Sequence, residues 1–268
     1  MMAAMIDPLF NALLALGMGI ARIFPCVLLT PIFSFSSLKG MVRTAIVVAL
    51  ALFVAPTIEP QITALSLNGW AMVGLALKEV ILGLFLGLLL AMPFWLFASA
   101  GALFDNQRGA LTGGQLNPTL GPDATPLGDM LRQWLGILLI LNFGLSLLTQ
   151  VIWDSYGLWP VDAWLPLLNK VGFNDFLQRV TTLFFDIVLY AGPLVLLLML
   201  LDFCVGILSI YSPQLQATIL TVPVKCLAGV LFFILYLPTL EYLANHQLLS
   251  LHDLIPHIAH ILPPQGGK

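Results

Sequence analysis

Apolar residues dominate six runs, at about 9–30, 41–58, 70–104, 131–153, 180–211 and 219–243, and polar residues collect in the connections between them. Runs of this length are read as helices, because in hydrocarbon every backbone N–H and C=O must be satisfied within its own segment. At about 1.5 Å per residue the run at 70–104 makes a helix about 50 Å long, well beyond a hydrocarbon core about 30 Å thick. It must bend or project. Pro93 in that run and Pro193 in the run at 180–211 are the expected kink points, since proline removes one backbone hydrogen bond and crowds the preceding turn.

Composition places these helices in a membrane. The 268 residues are 60% hydrophobic and 9% charged, against about 25% charged in an ordinary soluble domain. The chain therefore reads as all-α and polytopic, with about six long, kinked helical segments. Residues 1–243 form one integrated helical membrane domain, and 244–268 an amphipathic or flexible tail. Ten basic and thirteen acidic residues are scattered, so no basic face exists to follow a phosphate backbone and nucleic acid is not an expected partner. The N-terminal stretch MMAAMIDPLFNALLALGMGIARIFP carries no positive charge before Arg22, unlike a signal peptide, and is read as a retained first span.

Candidate chemistry is sparse. Cys26, Cys204 and Cys226 lie in apolar runs without metal-ligand spacing and read as small core residues. Ser36 and Lys39 have the SxxK spacing, but no companion motif accompanies them, and GxSxG, HExxH and P-loop patterns are absent. His246, His252, His257 and His260 fall in a tail that reads as an interfacial amphipathic stretch before it reads as a metal site. A non-enzymatic protein without metal or cofactor is the expectation.

The polar residues inside apolar runs carry more. Lys78 and Glu79, in LALKEVILGLFLG, each cost roughly 2.5–3.5 kcal/mol near a bilayer centre. Adjacent helical residues point about 100° apart, so the two are expected to seek partners on other helices or subunits rather than each other, or to snorkel from a helix end. Gly83 and Gly87 follow at GxxxG spacing, which lets a second backbone approach. Asp202 and Lys225 flank SPQLQ at equal distances from its turn, so an antiparallel hairpin brings them to one depth. They are predicted to pair, within the hairpin or through a neighbouring copy; a neutralising pair and a transport role both stay open. Asp186 lies sixteen residues before Asp202, about 160° around a straight helix, which gives a two-carboxylate relay little support. Arg22, Gln214 and Gln216 complete the set of side chains expected in buried or intersubunit positions.

Between two apolar runs stands DNQRGALTGGQLNPTLGPDATP, residues 105–126. Gly109, Gly113, Gly114 and Gly121 admit conformations closed to other residues, while Pro118, Pro122 and Pro126 stiffen the intervals. Non-helical backbone at membrane depth is tolerated only where protein buries it or a watery cavity receives it. An ordinary solvent loop is the alternative reading.

In order, KEVILGLFLG, ASAGALFDNQRG, a loop with Asn117–Pro118, and VGILSIYSPQLQATILTVPVK resemble the integral-membrane T/R subunit of the type III secretion export apparatus, the family of the flagellar FliR and injectisome SctT proteins. The likeness runs from Ala21 to about Leu240, and the FDNQRG wording points toward an injectisome. Many relatives carry Asp-Pro where Asn117–Pro118 stands; local turn shape is expected to survive, a role for negative charge there is not. The hairpin at about 190–240 looks like the two-helix Q/S subunit, and the resemblance implies that the earlier part is similar to the P/R subunit, so that the chain closes a helical ring in the bacterial inner membrane at the core of the basal body. It further implies P/R-type, Q/S-type and U/B-type switch partners, a surrounding lipid membrane, unfolded secreted proteins in transit, and an assembled core lifted largely out of the bilayer plane. In this family the central loop plugs the export pore, so Asp105, Asn106, Gln107, Arg108, Gly109, Gly113, Gly114, Asn117, Pro118 and Gly121 become the candidate gating residues, anchored by Asp105, Gln107 and Arg108. On this reading buried charges are tolerated because sister subunits surround them. The rivals are a secondary transporter with Lys78, Glu79, Asp186 and Asp202 around a midplane site, and a non-conducting assembly scaffold.

Overall fold

A computed structural model of the chain describes residues 3–34, 40–63, 69–109, 125–163, 170–211 and 217–252. All regular structure among them is helical: α1 (Ala3–Leu29), a 3-10 turn (Pro31–Ser34), α2 (Met41–Thr63), α3 (Gly69–Gln107), α4 (Pro126–Asn142), α5 (Ser146–Leu158), α6 (Lys170–Tyr211) and α7 (Ala217–His252). Five of these helices are long and apolar enough to cross a membrane, or six spans if α4 and α5 together make one. The polytopic helical reading therefore holds.

The apolar run at 131–153 is not one helix. It breaks at Phe143–Leu145, and α4 and α5 meet at 81°. Gly144 adopts φ +69°, a left-handed conformation that glycine enters without a Cβ clash, and its N–H donates to the Ile140 carbonyl as the α-helical ladder ends. The Ser146 hydroxyl donates to the Phe143 carbonyl at 2.9 Å, satisfying a group that the break releases.

At the expected kink points the helices continue: α3 runs through Pro93 and α6 through Pro193. With 39 and 42 residues they measure about 60 Å each. Even tilted by about 40° such helices outreach a hydrocarbon core about 30 Å thick, so both project beyond it.

The chain forms two compact units, Met1–Met92 with Leu139–Gln178 and Leu249–Lys268, and Pro93–Leu138 with Arg179–Leu248. In the first, Val47, Ala51, Val54, Ile58 and Ile62 make a helical stripe of buried positions on α2. Ala51 meets α1 at Gly19, where an added Cβ would stand 3.4 Å from the Ala51 Cβ. The approach of α3 to α1 is closer still. A Cβ on Gly83 would overlap the Arg22 carbonyl oxygen, and one on Gly87 would lie 2.9 Å from the Cys26 Cα. The GxxxG spacing thus does what it permits: it brings one backbone against another and sets Arg22 beside Glu79, one turn before Gly83.

In the second unit Phe94, Phe97 and Phe104 of α3 are fully buried. Phe97 packs against Trp134 and, edge-on, against Tyr190 with centroids 5.7 Å apart, and Phe104 against Phe233. Gly101 and Gly128 let α3 and α4 touch backbone to backbone, a Cβ on Gly101 falling 2.7 Å from the Gly128 Cα. Along α6 and α7 the contacts run in opposite senses: Leu198 with Gly229, Asp202 with Lys225, Asp186 with Gln247. The two helices are antiparallel.

Candidate functional site

Two polar constellations stand out, one in each unit. In the first unit α1, α2 and α3 deliver polar side chains to the end of α5. Arg22 is fully buried, and its five N–H groups meet five acceptors: Nε donates to Glu79 Oε2 at 2.5 Å, Nη2 to Glu79 Oε1 at 3.0 Å and to the Trp159 carbonyl at 2.7 Å, Nη1 to the carbonyl and the hydroxyl of Ser155 at 2.9 and 3.2 Å. The guanidinium also lies 3.9 Å from the Tyr156 ring centroid. Lys78 donates to the carbonyls of Pro160, Val161 and Ala163 at 3.1, 3.0 and 2.8 Å and pairs with Glu79 Oε1 at 2.8 Å. Gln61 of α2 accepts the Val161 N–H at 2.9 Å.

The physical logic is that of a helix C-terminus. A helix end leaves orphan carbonyls carrying a partial negative charge, and cations are stabilised there. Two cations and one carboxylate, net positive, are here set against that end and the irregular backbone after it. The expectation that Lys78 and Glu79 are poorly placed to neutralise one another is therefore corrected: Lys78 Nζ pairs directly with Glu79 Oε1, while Glu79 also reaches Arg22 on α1 and Lys78 the carbonyls after α5. Snorkelling is excluded as well, since Lys78 is 4% exposed and Glu79 fully buried. Ser155, Tyr156, Trp159 and Gln61 were not singled out by sequence reasoning. The polar residues Asp154 and Ser155, just past the apolar run at 131–153, were the available signal, and the backbone carbonyls gave none.

The second constellation lies at the base of the central loop. Asp105, with its side chain 1% exposed, accepts the Leu127 N–H at 2.7 Å and holds Arg108 Nη2 2.6 Å from its other oxygen, as a close ion pair rather than an aligned hydrogen bond. Pro126 opens α4, so Leu127 carries one of the N–H groups that helix geometry leaves unpaired. A carboxylate on the end of α3 thus caps the start of α4. Gly109, at φ +83°, closes α3, and Lys225 of α7 donates to the Gln107 carbonyl at 3.1 Å while standing 2.6 Å from Asp202. The pairing of Asp202 with Lys225 that residue counting predicts is present within the chain. Asn106 accepts the Gly109 N–H through its carbonyl. Gly113, Gly114, Asn117, Pro118, Gly121, Gln214 and Gln216 lie outside the described residues.

The remaining deep carboxylate, Asp186, accepts from Gln247 Nε2 at 3.2 Å, and the same amide bonds the Tyr190 hydroxyl. Lys78 and Glu79 belong to the first unit and Asp186 and Asp202 to the second, each engaged by its own partners. The expectation that sister subunits are needed to match the internal charges is corrected too: among the described residues, the buried charged side chains Arg22, Lys78, Glu79 and Asp105 all meet counter-charges within the chain.

Comparison with known proteins gives this arrangement a family. The chain is 28% identical over 257 residues to the Yop proteins translocation protein T of Yersinia pestis, covering 96% of this chain and 98% of that relative. It is 32% identical over 222 residues to the surface presentation of antigens protein SpaR of Salmonella typhimurium, covering 82% and 81%, and 26% identical over 242 residues to the flagellar biosynthetic protein FliR of Pectobacterium carotovorum, covering 88% and 89%. Residues 13–251 match the family described as bacterial export proteins, family 1. That span takes in both constellations and most or all of each helix of membrane length, and the chain belongs to this family of bacterial export proteins.

Proposed function

We propose that this chain forms part of the protein-conducting entrance pore of a type III secretion export gate, together with P/R-type and Q/S-type subunits and beside a U/B-type switch subunit. Membership of the export family and its membrane-length helices make it a multi-pass inner-membrane component of the export apparatus, and family members serve transport rather than catalysis. The observation that carries the pore reading is an asymmetry of burial: the most apolar window of α3 is 67% buried by the chain itself, whereas those of α6 and α7 are 11% and 6% buried. Two helices of about 60 and 54 Å, projecting past the bilayer with their apolar faces uncovered, suit a hetero-oligomer better than a lone bundle. The antiparallel α6–α7 pair is the part we compare with a Q/S-type subunit.

The stretch from Asp105 to Pro126 acts in this proposal as the closure of the pore, with unfolded secreted proteins passing when it moves. Its base is tied by Asp105 and Lys225, as a hinged closure requires. An injectisome rather than a flagellum is the proposed setting, on the strength of the FDNQRG wording. Deleting Gly113–Gly121 from the assembled complex and recording small-ion conductance tests the closure. A raised leak with unchanged assembly supports it; unchanged conductance with normal assembly rejects it.

A further inference from the structure

The Lys78 ammonium sits among four oxygens: Glu79 Oε1 at 2.8 Å and the carbonyls of Pro160, Val161 and Ala163 at 3.1, 3.0 and 2.8 Å. Three of the four are backbone carbonyls of an irregular segment that follows a half-length helix, α5, which is itself set off from α4 by an 81° bend. In membrane proteins with broken helices, carbonyls released in this way are the groups that coordinate free cations, replacing their hydration shell. Arg22 takes the carbonyls of Ser155 and Trp159 immediately before them and holds Glu79 through two hydrogen bonds, so Glu79 keeps a counter-charge whether or not Lys78 is present.

We propose that Lys78 is a tethered cation filling an oxygen-lined seat of the kind that binds monovalent cations, and that it is the positioning residue which fixes the segment after α5 against α3. The seat carries its own occupant on a covalent stem. A chain so built holds this segment at any ionic composition on either side of the membrane, and offers no vacancy to a transported ion. The inference concerns the first unit alone and stands whether or not the central loop closes a pore.

The experiment is chemical rescue on the full chain in detergent. Lys78→Ala empties the seat and Lys78→Met fills it without charge. Both are expected to lower the Tm by about 5–10 °C. Ammonium or potassium restores most of the loss in Lys78→Ala and none in Lys78→Met, while tetramethylammonium at equal ionic strength restores neither. A Lys78→Ala protein as stable as the native one, recovering equally in tetramethylammonium, or failing to recover in any cation overturns the proposal. Should Lys78→Ala yield no folded protein, hydrogen exchange of Lys78→Met decides: faster exchange confined to residues 159–163 supports the seat, and unchanged exchange there overturns it.

Discussion

Glu79 is the residue on which the first constellation balances. Its two oxygens receive two N–H groups of Arg22 at 2.5 and 3.0 Å and stand as close as 2.8 Å to the Lys78 ammonium, and nothing else of negative formal charge joins them among the described buried residues of that unit. Breaking a buried ionic group by removing one partner leaves uncompensated charge and costs about 3–5 kcal/mol. Glu79→Leu is therefore expected to lower the Tm of the purified chain by on the order of 10 °C, and a shift within measurement error contradicts the assignment. Asp105 makes a finer distinction. Its carboxylate serves a backbone N–H and an arginine, and Asp105→Asn retains an oxygen for the first while losing the charge for the second. Asp105→Ala is expected to cost about 1–3 kcal/mol and Asp105→Asn clearly less, read from thermal unfolding of the two variants side by side. Equal losses place the stabilisation in the Arg108 pair instead of the helix cap. The sequence announced these residues as anomalies without announcing their partners. An arginine finds carbonyls 133 and 137 positions away, and no spacing rule reaches that far.

Helices were the most legible level. Runs of apolar residues located all the long ones, because length and hydropathy alone decide whether a segment can live in lipid. Counting outward from SPQLQ in the sequence also placed Asp202 opposite Lys225, since antiparallel helices of equal rise keep equal depth. The break at Gly144 escaped because one glycine inside an apolar run is weak evidence against a pattern that otherwise continues. Only its positive φ reveals the turn. Glycine spacing was informative where it named a contact. Gly83 stands against the Arg22 backbone, whereas Gly17 has nothing within 4 Å of its virtual Cβ and lies in the interior of α1. Gly83→Ala is expected to push α1 from α3 at a cost of about 1–3 kcal/mol, while Gly17→Ala is expected to gain about 0.5–1 kcal/mol from helix propensity. Thermal unfolding of both variants checks the contrast, and similar shifts in the two would remove the close α1–α3 approach from the account.

At the scale of the whole molecule, charge and apolar surface tell different stories. The described buried charges are matched at home, so they demand no partner; the apolar faces of α6 and α7 are not, and they do. Phe184, Phe185, Phe203, Leu227 and Leu235 are each more than half exposed, an amount of aromatic and aliphatic surface that lipid or protein has to cover. Sequence could not separate these two requirements, because a lysine in an apolar run looks the same whether its partner lies in the chain or in a neighbour. Cysteine alkylation distinguishes them on the assembled protein: Cys26, 1% exposed, resists a maleimide in the isolated chain and Cys204, which is exposed, reacts. Co-assembled subunits are expected to protect Cys204, and undiminished reactivity argues that lipid alone covers α6. The most direct test of the central claim is the intact mass of the complex isolated in mild detergent after co-expression with P/R-type and Q/S-type subunits. The account predicts a stable hetero-oligomer containing one copy of this chain, and a lone monomer beside an oligomer assembled without it would contradict the account.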